Sequence, residues 1–330
     1  MKVRLLGLLV AGATVPAAAQ AQSSLTTEAD FTVGRSSEGI NIAVAQARLF
    51  GSTSSDWRFF LEGTANAVTA SESDAFGAAY PYSHRARPME AYVEKISRPG
   101  GLLLGVRGGR YRTPFGISGR SDHAYIGFVR APLIRYTDNW ALSTSYFEAG
   151  GEVMAGTPSL SVQASLGVPS DEGNERRCRA LDVVVRGQAY YRSFIVGVSS
   201  MRSRPSDPRH LDDGNLVFHG VDVRWMRGGV QLRGEWIAGR PFDDVATTGG
   251  YIDAIVHPIW MGPVTAVARA ERLDYDAGKR SEYLRRYTAG ARIRVTPALA
   301  AQVNVIKQPK GLDAPGFRAL DFTLTYSVRF

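Results

Sequence analysis

The last eleven residues of the chain alternate without interruption. Leu320, Phe322, Leu324, Tyr326, Val328 and Phe330 fall on one face, and Asp321, Thr323, Thr325, Ser327 and Arg329 on the other. Such alternation marks a β-strand with one apolar and one polar face, because successive side chains point to opposite sides. Six apolar residues in this row is long for a globular strand. It matches the roughly ten-residue span of a tilted strand crossing a bilayer.

The pattern recurs along the chain. Trp57, Phe59, Leu61, Gly63 and Ala65 oppose Arg58, Glu62 and Thr64, and Leu160, Val162, Ala164, Leu166 and Val168 oppose Ser161, Gln163 and Ser165. Val230 to Trp236, Tyr287 to Val295 and Leu299 to Val305 behave likewise. Less regular versions lie at 88–97, 101–112, 143–155, 179–190, 192–201, 216–226, 249–257 and 263–273. The segment 38–50 alternates poorly and is a candidate for a bulge. The spacers between segments are of two kinds. Thr296-Pro297 and Met226-Arg227-Gly228 are short, whereas 67–87, 113–142, 169–178, 202–214, 240–248, 274–283 and 308–317 are longer and polar. Short turns at one end and long loops at the other are the asymmetry expected of outer-membrane barrels. About fifteen segments are visible, and a closed bacterial barrel takes an even number. A short first strand near Phe31 to Arg35 therefore gives about sixteen strands, with fourteen as the alternative.

Closure follows from the medium. In hydrocarbon every backbone N–H and C=O needs an internal partner, so an open sheet edge is excluded. The expected fold is an all-β, closed antiparallel transmembrane β-barrel. Its polar face carries Glu62, Glu90, Glu94, Glu148 and Glu152 with Arg107, Arg186, Arg233, Arg269 and Arg292. Burying these charges in a dry core is prohibitive unless each is paired, whereas a water-filled lumen removes the difficulty. The sequence thus points to a wet channel lined by charge. Arginines can also pair with carboxylates on neighbouring strands, a second expectation for the same residues.

The amino terminus carries Lys2 and Arg4, an apolar stretch from Leu5 to Val15 and the small-x-small triplet Ala19-Gln20-Ala21. This is the layout of a cleaved export signal over 1–21, leaving 22–330 as the barrel. Without Lys2 and Arg4 the chain has 37 basic against 31 acidic residues, a net charge of +6 in place of +8. Those charges are interspersed, which argues against a nucleic-acid partner. The single cysteine, Cys178, offers no disulfide framework. No later run reaches the length of a spanning helix.

The least strand-like long stretch is about 113–142, an apolar and aromatic segment expected to fold inward and narrow the pore. A strand runs into it through Gly109-Arg110-Tyr111-Arg112-Thr113-Pro114-Phe115-Gly116. With this Gly-x-x-x-x-Pro-Phe-Gly run, the arginine-bearing loop, the barrel pattern and the terminal Phe330, the chain resembles the phosphate-selective porin family of outer-membrane channels. The resemblance implies that Pro114, Phe115 and Gly116 mark where the chain turns into a constriction loop. It implies Arg107, Arg110, Arg112, Arg120, Arg130 and Arg135 as anion contacts, since a permanently charged guanidinium grips oxyanions bidentately. Opposing acids Glu62, Glu90, Glu94, Glu148 and Glu152 would create the transverse field of a general porin. Tyr326, Val328 and Phe330 resemble the signal read by the barrel-assembly machinery. Outer-membrane lipid and lipopolysaccharide, small anionic or polar solutes and a homotrimer are the partners this implies.

Enzyme chemistry has little footing. There is no Gly-x-Ser-x-Gly elbow, His-Glu-x-x-His pair, phosphate loop or cysteine cluster. The five histidines are scattered, so neither a metal site nor a cofactor is expected. The alternatives are a barrel enzyme of lipase or protease type, for which Ser121-Asp122-His123 is the one tempting cluster, and a plugged structural barrel.

Overall fold

The computed structural model describes residues 24–330 apart from 54, 69–85, 118–125, 136–146, 170–180, 205–215, 241–245, 258, 278–279 and 312–315. The strands are β1 (Ser24–Ser36), β2 (Asn41–Ser52), β3 (Trp57–Val68), β4 (Ala86–Ser97), β5 (Leu103–Arg112), β6 (Phe147–Gly156), β7 (Leu160–Pro169) and β8 (Leu181–Tyr191). They continue with β9 (Phe194–Arg204), β10 (Leu216–Arg227), β11 (Val230–Arg240), β12 (Thr247–Val256), β13 (Val264–Ala277), β14 (Arg280–Arg294), β15 (Leu299–Gln308) and β16 (Phe317–Arg329). Each pairs antiparallel with its chain neighbours, and β1 pairs with β16, closing a sixteen-stranded barrel. At the seam the Thr32 and Thr325 hydroxyls meet at 2.9 Å across 293 residues of sequence. Phe330 completes it by exchanging backbone hydrogen bonds with Thr27.

The two faces sort as the alternation requires. On β16, Leu320, Phe322 and Tyr326 are exposed on the outside, while Asp321, Thr323 and Thr325 are buried inside. Val93, Val106, Val153, Leu166, Val185 and Val198 extend the exposed apolar surface around the wall. A belt of this extent is a liability in water and stable against hydrocarbon.

Three details depart from the sequence expectation. The first strand is not a short piece near Phe31 to Arg35 but a full span from Ser24, where small Thr27 and Ala29 occupy outward positions and hide the alternation. The β2 register is unbroken on both sides, and the bulge lies in β4. There Glu62 faces Glu90 while Gly63 faces Pro88, leaving Met89 as the extra residue. Finally, 274–283 is not a long loop: β13 and β14 stay paired to Ala277 and Arg280.

A candidate pore and its inward-folded loop

The third connection at the long-loop end, between β5 and β6, turns into the barrel. Gly109 prepares the turn. Its φ of +130° disrupts the pleat, and a Cβ there would lie 2.3 Å from the Ala91 carbonyl oxygen. Beyond it both Tyr111 and Arg112 make interior contacts, although regular alternation would separate them. Tyr111 is fully buried, and Arg112 reaches Glu90 and Glu62.

The described parts of the loop, 113–117 and 126–135, are fixed to the far wall by backbone hydrogen bonds to wall side chains. Gly116 N–H donates to Ser199 Oγ at 3.1 Å, and Ile117 N–H to Glu235 Oε1 at 3.2 Å. Buried Asn304 accepts from Val129 N–H at 2.7 Å and donates to the Gly127 carbonyl at 2.9 Å. Arg269 and Arg286 donate to the carbonyls of Arg130 and Ala131, and Leu133 N–H donates to Glu271 at 2.8 Å. A loop so placed would strand its peptide groups away from water, and these wall side chains satisfy them. Between loop and wall lies an apolar core of Ile117, Leu133 and Ile134 against Val184, Met201, Phe218, Ile237, Tyr251 and Leu273.

Gly116 combines two constraints. Its φ is +58°, and a Cβ would fall 1.6 Å from Glu235 Oε1. Gly116→Ala is expected to add about 1–2 kcal/mol of backbone strain and to push away the carboxylate that holds Ile117. Hydrogen exchange should then accelerate at the Gly116 and Ile117 amides while the barrel strands stay protected. Unchanged exchange there would show that the loop is held elsewhere.

The interior ion pairs fall into two groups. Along β8 to β14 they are sealed: Arg186–Asp222 at 2.7 Å, Arg233–Asp253 at 2.8 Å, Arg269–Asp253 at 2.6 Å and Arg286–Glu271 at 2.7 Å. Along β1 to β6 they form a ladder that keeps contact with water. Arg48 bridges Asp30 and Glu62, Arg112 bridges Glu62 and Glu90, and Arg107 bridges Glu94 at 2.8 Å and Glu152 at 3.4 Å. Arg107 and Arg112 retain 17% and 16% side-chain exposure, against 1–5% for the four sealed arginines. Arg58, 56% exposed, joins Glu94 at the short-turn end. Phe50, Phe60 and Tyr92 line the same wall with rings 4.8 and 5.3 Å apart, and Arg107 lies over Tyr92 at 4.4 Å.

The residues proposed from sequence are therefore divided. Arg107, Arg112, Glu62, Glu90 and Glu94 meet in the ladder, joined by Glu152, whose own side chain is sealed. Glu148 is fully buried and accepts from Ser165 Oγ. Arg110 donates to the Met89 carbonyl and lies over Phe147. Arg130 is sealed, binding Asp321 through Nε at 2.6 Å and Glu38 through Nη2 at 2.6 Å. Its geometry is that of a clamp on the loop. Phe115 packs on the apolar core beside Gly116. Arg120, the Arg135 side chain, Cys178, the 1–21 segment and Ser121-Asp122-His123 lie outside the described residues. Sequence reasoning missed Arg48, Asp30, Asn304 and Asp321. Asn304 and Asp321 carried a signal, as polar residues in mid-strand on the inward face.

No family model matches the chain, and no curated protein matches it. Among solved structures it is similar to OmpF of Salmonella typhi in complex with daunomycin, with 12% identity and a TM-score of 0.65 over 93% of this chain and 97% of that one. It is also similar to the anion-selective porin from Comamonas acidovorans, with 10% identity and a TM-score of 0.61 over 94% and 100%. OprB of Pseudomonas putida gives 10% identity and a TM-score of 0.59 over 93% and 94%. These likenesses establish the sixteen-stranded barrel architecture.

Proposed function

We propose that the chain is an outer-membrane porin through which small hydrophilic solutes diffuse passively, with a mild anion preference that extends to phosphate-like oxyanions. The observation that carries this reading is the wetted ladder. The loop seals the ion pairs of one wall and leaves Arg48, Arg107, Arg112, Glu90 and Glu94 in contact with water on the other. A passage lined by fixed charge of both signs passes polar solutes generally and discriminates weakly. The net charge of +6 left once Lys2 and Arg4 are removed tilts the preference toward anions. The exterior apolar belt supports a membrane location, and the likeness to porin structures, one of them described as anion-selective, points the same way. On this reading 1–21 is a removed export signal, Tyr326, Val328 and Phe330 engage the assembly machinery, and membrane lipid with lipopolysaccharide surrounds a homotrimer.

Reconstitution into a planar bilayer under a KCl gradient tests the proposal. Ohmic conductance steps with a reversal potential slightly on the chloride side are expected. A silent membrane containing folded, heat-modifiable barrel would overturn it in favour of a plugged structural barrel.

A further inference from the structure

The outside of β10 to β14 is indented. Directly opposed residues on neighbouring strands share a face, and the outward row Trp236, Gly250, Arg272 and Arg285 lies above the row Gly234, Ile252, Ala270 and Tyr287. Gly234 and Ala270 form the low floor of a groove of about 840 Å³, walled by Trp236, Ile252 and Tyr287. The Trp236 indole lies over Gly250 so closely that a Cβ there would come within 2.5 Å of the ring. Ile252 is 67% exposed within this apolar surface, which an apolar ligand would cover.

The charge around this groove is one-sided. At the long-loop end, Arg202, Arg240, Arg272, Arg285, Lys307 and Arg318 all point outward and are exposed, by register and by burial pattern. At the short-turn end of the same strands, Arg227 interrupts an otherwise apolar rim of Phe194, Val230, Val256 and Ile293. Arg272 and Arg285 are register partners at the mouth of the groove. Asp274 takes the Arg272 Nε, and the Arg285 guanidinium lies 4.8 Å from the Tyr283 ring centroid. Among the described residues Arg285 has no carboxylate partner. An outward arginine pair above an apolar trough matches a molecule with an anionic head and a hydrocarbon tail.

We infer that this face is a binding site for an anionic phospholipid, one acyl chain lying across Gly234 and Ala270 beside Ile252, and the phosphate, with no cation of its own head group to neutralise it, held by Arg272 and Arg285. The inference rests on the membrane reading above. Two guanidinium groups favour a head group of net negative charge over a zwitterionic one, and the groove adds retention through burial of methylene groups. A bilayer supplies this ligand at high local concentration, so modest affinity suffices for occupancy.

Native mass spectrometry of the detergent-solubilised full chain tests it, with phosphatidylglycerol and phosphatidylcholine of identical chains as probes. Wild type should retain phosphatidylglycerol in preference to phosphatidylcholine. R272A/R285A should lower phosphatidylglycerol retention about tenfold, as expected for losing charge-assisted contacts, and R272K/R285K should restore part of it. Ala270→Phe, which fills the trough with both arginines present, should lower retention of both lipids. Equal retention of the two lipids by wild type overturns the proposal, as does full retention by a folded R272A/R285A variant. Binding of a second copy of the chain over this face, with exclusion of lipid, overturns it too. Heat-modifiable mobility, read in parallel, separates failure of the lipid site from failure of the membrane-barrel reading.

Discussion

Replacing Arg130 by alanine is expected to free the loop and raise single-channel conductance severalfold, with broader current fluctuations. The guanidinium joins the loop to Asp321 of β16 and to Glu38 between β1 and β2, and Asp321 is fully buried. Breaking a buried pair by removing one partner costs about 3–5 kcal/mol, because the other charge is left without compensation. The loop can relieve that cost by lifting away and admitting water to Asp321. R130A should therefore show a larger conductance and a lower unfolding temperature together. Arg130→Ala with Asp321→Asn removes both charges and should regain stability while conductance stays high. An R130A channel with wild-type conductance would show that Asn304, Glu235 and Glu271 hold the loop without the clamp.

Arg107→Ala should move the reversal potential from the chloride to the potassium side. Arg107 neutralises Glu94 and Glu152, so its loss adds unbalanced negative charge to the wetted wall as well as removing a cation. Glu94→Gln is expected to move the potential the opposite way. Exposed charge is screened over about 10 Å at 0.1 M salt and about 3 Å at 1 M. Both shifts should therefore be largest in dilute KCl and shrink in concentrated KCl. Equal potentials for wild type and both variants would remove the ladder from the ion path.

Much of this was legible from side-chain period alone. The strands with clean alternation, such as β16 and β7, have exposed apolar residues on one side and small polar or charged groups on the other. Of the segments that read as irregular, those of β8, β9, β10, β12 and β13 carry inward apolar residues on which the loop packs, whereas those of β4, β5 and β6 lie outside that core. Val184, Met201, Phe218 and Leu273 are apolar residues at inward positions, so both faces of these strands are greasy over a few residues. Loss of alternation there marked a second core inside the barrel. The inward course of the loop could be read from its aromatic composition, but the role of Arg130 could not. A basic residue in a constriction loop and a basic residue clamping that loop have the same local sequence, and only the position of Asp321, 191 residues away, separates them. The ladder was half visible, since the glutamates alternate cleanly. The kink at Gly109 that turns Arg112 toward them obeys no period.

The seam between β1 and β16 has a consequence for how the molecule comes into being. The partners that shut the ring, such as Thr32 and Thr325, stand 293 residues apart in the chain. Contacts of such separation form slowly, so the ring is late to close. During that wait the greasy strands are open to misassembly. Until the two outermost strands meet, the sheet keeps two unpaired edges, and closing the ring is the step that removes both.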